Sequence, residues 1–259
     1  MKIAIITGAT SGMGREMAIA LSEQFGRLDE IWALGRRRER LTELKRLCKV
    51  PVRALEADLT KESDLLILEE MLQTEQPQVV FLVNAAGYGM IGSVGSLPLA
   101  QETGMVRLNC EAVCAVTNLV LPYLCAHSRI FFFASAASFL PQPDFAIYAA
   151  TKAFVLSYAR ALREELKPRA IKVTAICPGP VRTEFFDIAE RTGKIPLYKL
   201  LVMADAKKVV RKALRDGIAG EDLSVYGVSM NAFRVAAKCL PHKLLLAGMG
   251  ALTQRRKNG

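Results

Sequence analysis

Tyr148 and Lys152 stand four residues apart in "YAATK". Residues at i and i+4 lie one above the other on a helix face, so a helix there sets a phenol beside an ammonium. A free phenol titrates near ~10 and is a poor base at neutral pH. A neighbouring cation favours the phenolate, so Lys152 is expected to lower that value toward the working range. The pair then reads as a proton shuttle; the alternative is a packing contact of the same spacing. Just upstream, the apolar run "SRIFFFAS" ends in Ser135. The C-terminal end of a strand is where α/β sheets present ligands. Ser138 is the competing hydroxyl, and Ser135 is preferred because it lies at the strand end.

A second group of residues suits phosphate. "TGATSGMG" (Thr7–Gly14) follows an apolar run and opens a helical one. Glycines let the backbone approach a pyrophosphate, and a helix N-terminus offers free N–H groups to it. Arg15 and Glu16 stand where a Walker loop would place Lys and Ser or Thr. An acid gripping a free ribose 2′-hydroxyl would stand at the end of the second strand. Gly35 occupies that place, followed by Arg36, Arg37 and Arg38. An arginine fork suits a 2′-phosphate, and cations at a helix start oppose the macrodipole unless an anion joins them. NADP(H) is therefore expected over NAD(H); a solvated basic helix start is the alternative.

These residues need a frame. Strand-length apolar runs recur at 2–7, 30–35, 50–57, 78–84, 128–135 and 170–177, with "DLSVYGV" as a possible seventh. Helical segments lie between them at 13–25, 38–47, 61–74, about 101–126 and about 147–166. Such alternation predicts a Rossmann-type, doubly wound α/β fold: a parallel sheet of about seven strands with helices on both faces. A further amphipathic helix spans 205–217, closed by Gly217. The chain reads as a single domain: a core over 1–183, a lid and last helix and strand over 184–222, and a basic extension over 223–259.

Composition narrows the classes. Apolar residues are 51% and charged residues 23%, enough for a sizeable core and against disorder. The six cysteines show no CxxC spacing and there are two histidines, which argues against a zinc site and for reduced thiols in the cytoplasm. The N-terminal apolar run is too short for a signal peptide, and no eighteen uninterrupted apolar residues occur to span a membrane. Net charge is +10, and no acid follows Asp222. The basic tail, with Lys238, Lys243, Arg255, Arg256 and Lys257 around "LLLAGMGAL", either packs on the core or a partner subunit or rests on an anionic membrane. No aromatic-interleaved basic stripe of the nucleic-acid-binding kind is present.

Taken in order, seven landmarks resemble the classical short-chain dehydrogenase/reductase family over residues 1 to about 183: "TGATSGMG", Asp58 in "ADLT", "NAAG" (84–87), Asn109 in "VRLNC", Ser135, "YAATK" and "PGPVRT" (178–183). Ser135 precedes Tyr148 by the family's usual thirteen residues. The resemblance implies an NADP(H)-dependent enzyme interconverting a carbonyl and a secondary alcohol. Tyr148 would be the acid/base and Ser135 would hold the substrate oxygen. Lys152 would also bind the nicotinamide ribose, and Asn109 would anchor a water leading to Lys152. It implies cofactor contacts at Gly8, Thr10, Ser11, Gly12, Met13 and Gly14, then at Arg36 and Arg37. Asp58, beside Leu59, would accept from the adenine amino group. Asn84, Ala85 and Gly87 would line the cofactor, with Pro178, Gly179, Val181 and Thr183 around the nicotinamide. Two positions depart from the family. Ala85 replaces a second asparagine, which removes a hydrogen bond and is expected to loosen that turn; Met13 is a packing change. A non-catalytic NADP(H)-binding regulator on the same fold is the alternative function, and the full set of four reacting residues argues for the enzyme.

Substrate specificity would come from the stretch after residue 183. Phe185, Phe186, Ile188, Ile195, Leu197, Tyr198, Leu200 and Leu201 could cover a hydrophobic, steroid- or acyl-like compound, or could simply pack on the core. Residues 87–92, Phe139 and Leu140 would form the opposite wall. The resemblance also implies a homodimer or homotetramer paired through the helices that carry Asn109 and Tyr148.

Overall fold

The computed structural model describes residues 1–189 and 203–247, the side chains of 186–188 excepted. Seven parallel strands form one sheet in the order β3-β2-β1-β4-β5-β6-β9. They are β1 (Lys2–Thr7), β2 (Glu30–Gly35), β3 (Val52–Glu56), β4 (Gln78–Asn84), β5 (Leu124–Phe133), β6 (Lys172–Ile176) and the short β9 (Leu223–Ser224). The first crossovers run outward from β1 to β3, and the chain then returns to β4 on the other side of β1. A switch point therefore opens between the C-terminal ends of β1 and β4, where α/β sheets bind ligands.

Continuous apolarity along the strands has its physical counterpart in two buried layers. Ile3, Ile5, Trp32, Leu82, Ile130 and Phe132 face one layer, closed by α3 (Glu62–Glu75), α5 (Ala112–Val120) and α6 (Ala146–Leu166). Ala4, Ile6, Ala33, Phe81, Phe131 and Phe133 face the other, closed by α1 (Gly12–Gln24), α2 (Arg38–Leu47) and α8 (Ala206–Ala219). Successive strand residues alternate between these layers, as a pleat requires.

Several bounds shift from expectation, and two of the shifts are informative. The helix expected to reach residue 126 runs as α4 (Leu99–Val106), a π turn (Arg107–Glu111) and α5, then a 3-10 turn at Leu121–Tyr123 containing Pro122. Leu124 already pairs with Val79, and the chain then bulges before Arg129 pairs with Phe81. Ser128 stitches the bulge: its hydroxyl accepts from Cys125 N–H at 3.0 Å and donates to Val79 O at 2.7 Å. The second difference is at α8, which continues past Gly217 to Gly220, the residue in the left-handed region (φ 83°). Gly217 is buried within the helix against the Phe131 ring, where a methyl would have no room. Its lack of a side chain serves close approach, not termination.

After β6 come β7 (Val181–Arg182), α7 (Glu184–Ala189) and β8 (Ala204–Asp205), with β7 and β8 pairing in parallel. The helix α9 (Val228–Cys239) follows β9. Val228 and Val235 on it are exposed, while Met230 and Phe233 turn toward the ligand cleft. Arg255, Arg256 and Lys257 lie outside the described residues, as do most of the lid positions read from the sequence.

Candidate active site

A cavity of about 580 Å³ occupies the switch point. Its floor is the turn after β1. Gly8 adopts φ 67° and an added Cβ would sit 2.7 Å from Ala86 N, so the turn can be this close to β4 only as glycine. The first turn of α1 holds no acid, and its N-cap Ser11 makes no side-chain cap bond. The N–H groups at that helix start therefore remain available to an anion. Thr7 ties the two strands together. Its buried hydroxyl donates to Val83 O and accepts from Ala85 N–H at 3.0 Å and Ala86 N–H at 3.1 Å. The turn after β4 is thus pinned by Thr7, and the loosening expected from Ala85 does not arise in the hydrogen bonding.

Every residue expected to contact the cofactor lines this cavity except Asn84 and Lys152. Asn84 is buried and points away: its amide donates to Thr117 Oγ1 at 3.1 Å, bracing β4 against α5. Arg36 is exposed at the rim. Arg37 donates to Thr10 Oγ1 at 3.2 Å and to Glu184 at 2.7 Å, so the anion beside this helix start is a carboxylate of the chain itself. The Asp58 carboxylate accepts from the N–H and hydroxyl of Thr60.

The reacting residues converge. Ser135 lies two residues beyond β5 and caps a 3-10 turn by accepting from Ala137 N–H. Its hydroxyl lies beside the Tyr148 phenol and opposes the effect of burial on it. Ser138 instead donates to Ser135 O and contacts the Cys177 thiol, off the cavity surface. Tyr148, 7% exposed, presents its ring to the cavity, stacked on Phe145 at 4.3 Å and tilted against Phe185 at 5.3 Å.

Lys152 is buried behind the phenol. Its Nζ lies 5.7 Å from the Tyr148 ring centroid and donates to Phe133 O at 2.8 Å. Here one expectation fails. Burial pushes the phenol up to about 12, with the Ser135 hydroxyl opposing it. The ammonium is spent on a carbonyl and does not win against desolvation; burial pulls Lys152 itself down to about 8. Asn109 is buried beside Lys152's helix. Its Oδ1 accepts from Tyr88 N–H at 3.0 Å, and its Nδ2 donates to Tyr88 O and Thr151 Oγ1. The amide braces the wall beside Gly87, whose Cβ position lies 2.9 Å from Asn109 Oδ1 and 3.3 Å from Lys152 Nζ.

The substrate end is apolar. Phe185 lines it as expected; Phe186 and Ile188 have side chains outside the description, and 195–201 lie in the undescribed stretch. Phe139 and Leu140 do not form the opposite wall: Phe139 backs onto Phe233 at 6.4 Å, and Leu140 is buried. Gly87 and Tyr88 of the expected wall do line the cavity, joined by Gln142, Phe145, Met230 and Phe233. Met230 and Phe233 went unread in a stretch noticed for its charge; their i, i+3 spacing was the available signal.

A doubly wound parallel sheet with a glycine turn, a phosphate-suited helix start and a Ser–Tyr–Lys group at one switch point defines the Rossmann-type dinucleotide class. The chain belongs to the short chain dehydrogenase family, whose pattern it matches over residues 2–192. It is 36% identical to a sulfoacetaldehyde reductase of Chromohalobacter salexigens over 74% of this chain and 76% of the relative. An uncharacterized oxidoreductase of Staphylococcus epidermidis is 32% identical over 73% and 84%. Among solved structures, a short-chain dehydrogenase of Sphingobium yanoikuyae in complex with NADPH superposes with a TM-score of 0.77 at 27% identity, covering 98% of this chain and 96% of that one.

Proposed function

We propose that this oxidoreductase interconverts a hydrophobic ketone or aldehyde and its alcohol, with NADP(H) as cofactor and Tyr148 as general acid/base. The observation that carries the reading is geometric. The Tyr148 phenol and the Ser135 hydroxyl open into the same cavity as the glycine turn and Arg36. The glycine turn and the uncapped start of α1 would hold the pyrophosphate, Arg36 and Arg37 a 2′-phosphate, and Pro178 to Thr183 the nicotinamide. When bound, that cofactor supplies or accepts the hydride.

The chain's residues do the rest. Ser135 and Tyr148 orient the substrate oxygen. In reduction the phenol, held neutral by burial, gives its proton to that oxygen as the new C–H bond forms. The phenolate left behind is stabilised by the Lys152 ammonium one helical turn away. Asn109 and Thr151 position the wall around that ammonium. Tyr88, Phe145, Phe185, Met230 and Phe233 exclude water and favour an apolar substrate over a sugar. The enzyme works as a homodimer or homotetramer paired through the α4–α5 and α6 faces, where Val106 and Phe154 are exposed.

Tyr148→Phe tests the reading. Turnover of a carbonyl panel with NADPH should fall about 10²–10⁴-fold, while calorimetric cofactor affinity stays within a factor of two or so of the parent. Retained turnover would remove Tyr148 from the chemistry. A panel in which only small polar carbonyls react would overturn the apolar substrate.

A further inference from the structure

Arg37 and Glu184 stand on opposite banks of the switch point. Arg37 follows β2, on the β1 side, and Glu184 follows β6 and β7, on the β4 side. In this structure they close on each other across the cofactor groove. Arg37 Nη1 donates to Glu184 Oε2 at 2.7 Å and Arg40 Nη2 to Oε1 at 3.3 Å. Two guanidinium groups around one anion is a donor set that a phosphate monoester takes.

We propose that Glu184 is an internal stand-in for the 2′-phosphate of the cofactor, so that the preference for the phosphorylated dinucleotide is set by exchanging one anion for the other at Arg37, beside Arg36. The inference rests on the NADP(H) reading above and adds a specificity-determining residue to it. The ion pair is about half exposed, with side-chain exposures of 43% and 35%, so it is weak enough to exchange. A phosphate carries more charge than a carboxylate and wins Arg37. A dinucleotide without the phosphate leaves Arg37 on Glu184. The exchange reaches the substrate end, because Glu184 opens α7 and the next residue, Phe185, lies against the Tyr148 ring.

Calorimetry on the full chain tests this with NADPH, NADH, 2′,5′-ADP and 5′-AMP as probes. Removing the competing carboxylate in Glu184→Gln should tighten NADPH and 2′,5′-ADP roughly two- to fivefold, the worth of one half-exposed ion pair. NADH and 5′-AMP should not change. If Glu184→Gln does not fold, Glu184→Ser carries the same expectation. Unchanged or weaker NADPH binding, or an equal gain for NADH, overturns the proposal. A wild-type protein that does not distinguish NADPH from NADH instead overturns the cofactor reading beneath it.

Discussion

Tyr148 and Lys152 are both buried and both penalised for charge, in opposite senses. The lysine has the sharper consequence. Its folded value of about 8 lies below the ordinary 10.5, so between those values the unfolded chain holds more protons. Stability from this group therefore rises with pH across that window, and the cost of the buried ammonium is present in full below it. Urea midpoints at pH 8 and 9.5 should show this: wild type should gain relative to Lys152→Met on going to the higher pH. The measured range, pH 8 to 9.5, stops short of the phenol, whose raised value acts with the opposite sign only above its ordinary value of 10.0. Gly87 is the other sensitive position. A methyl there would press on Asn109 Oδ1 and Lys152 Nζ. Gly87→Ala is expected to cost turnover of about tenfold or more, the scale on which misplacing a positioned group acts, and steady-state kinetics at saturating NADPH checks it.

The elements that present these groups depend on a few side-chain ties. Thr7 satisfies two main-chain N–H groups of the β4 turn from the end of β1. Thr7→Ala leaves both without that partner beside the cofactor groove, and urea unfolding should show a loss of about 1–3 kcal/mol. Thr7→Ser keeps the hydroxyl and should recover most of it. The helices were legible because their apolar residues recur at helical spacing, and the bounds of α2 and of β1, β2 and β4 were as read. The end of α5 and the start of β5 were not legible. Residues 124–127 are short and apolar enough for either state, and only pairing to Val79 through Ser128 makes them strand. Gly217 misled for a related reason: a glycine's purpose depends on whether a neighbour such as Phe131 lies where its Cβ would be.

At the scale of the molecule, the sheet buries both faces, and the outer sides of α4, α5 and α6 carry exposed apolar side chains. Val106 is 47% and Phe154 42% exposed there, with Tyr158 stacked on Phe154 at 6.0 Å. Light scattering should give at least twice the mass of one chain. Phe154→Glu, by placing a charge in a buried apolar contact, should shift the population to the monomer. An unchanged mass would move the pairing surface elsewhere.

By itself the sequence determined the parallel sheet with its covering helices, the glycine turn and a candidate reacting set, because periodicity and short motifs are local properties of a chain. Only the tertiary structure decided what those residues meet: Arg37 its own Glu184, Asn84 the hydroxyl of Thr117, Lys152 a carbonyl of β5, and Met230 the substrate end from a stretch read for its charge. Those partners lie 19 to 147 positions away. A side chain's charge state and role follow from its neighbours and its burial, and neither exists until the chain has folded.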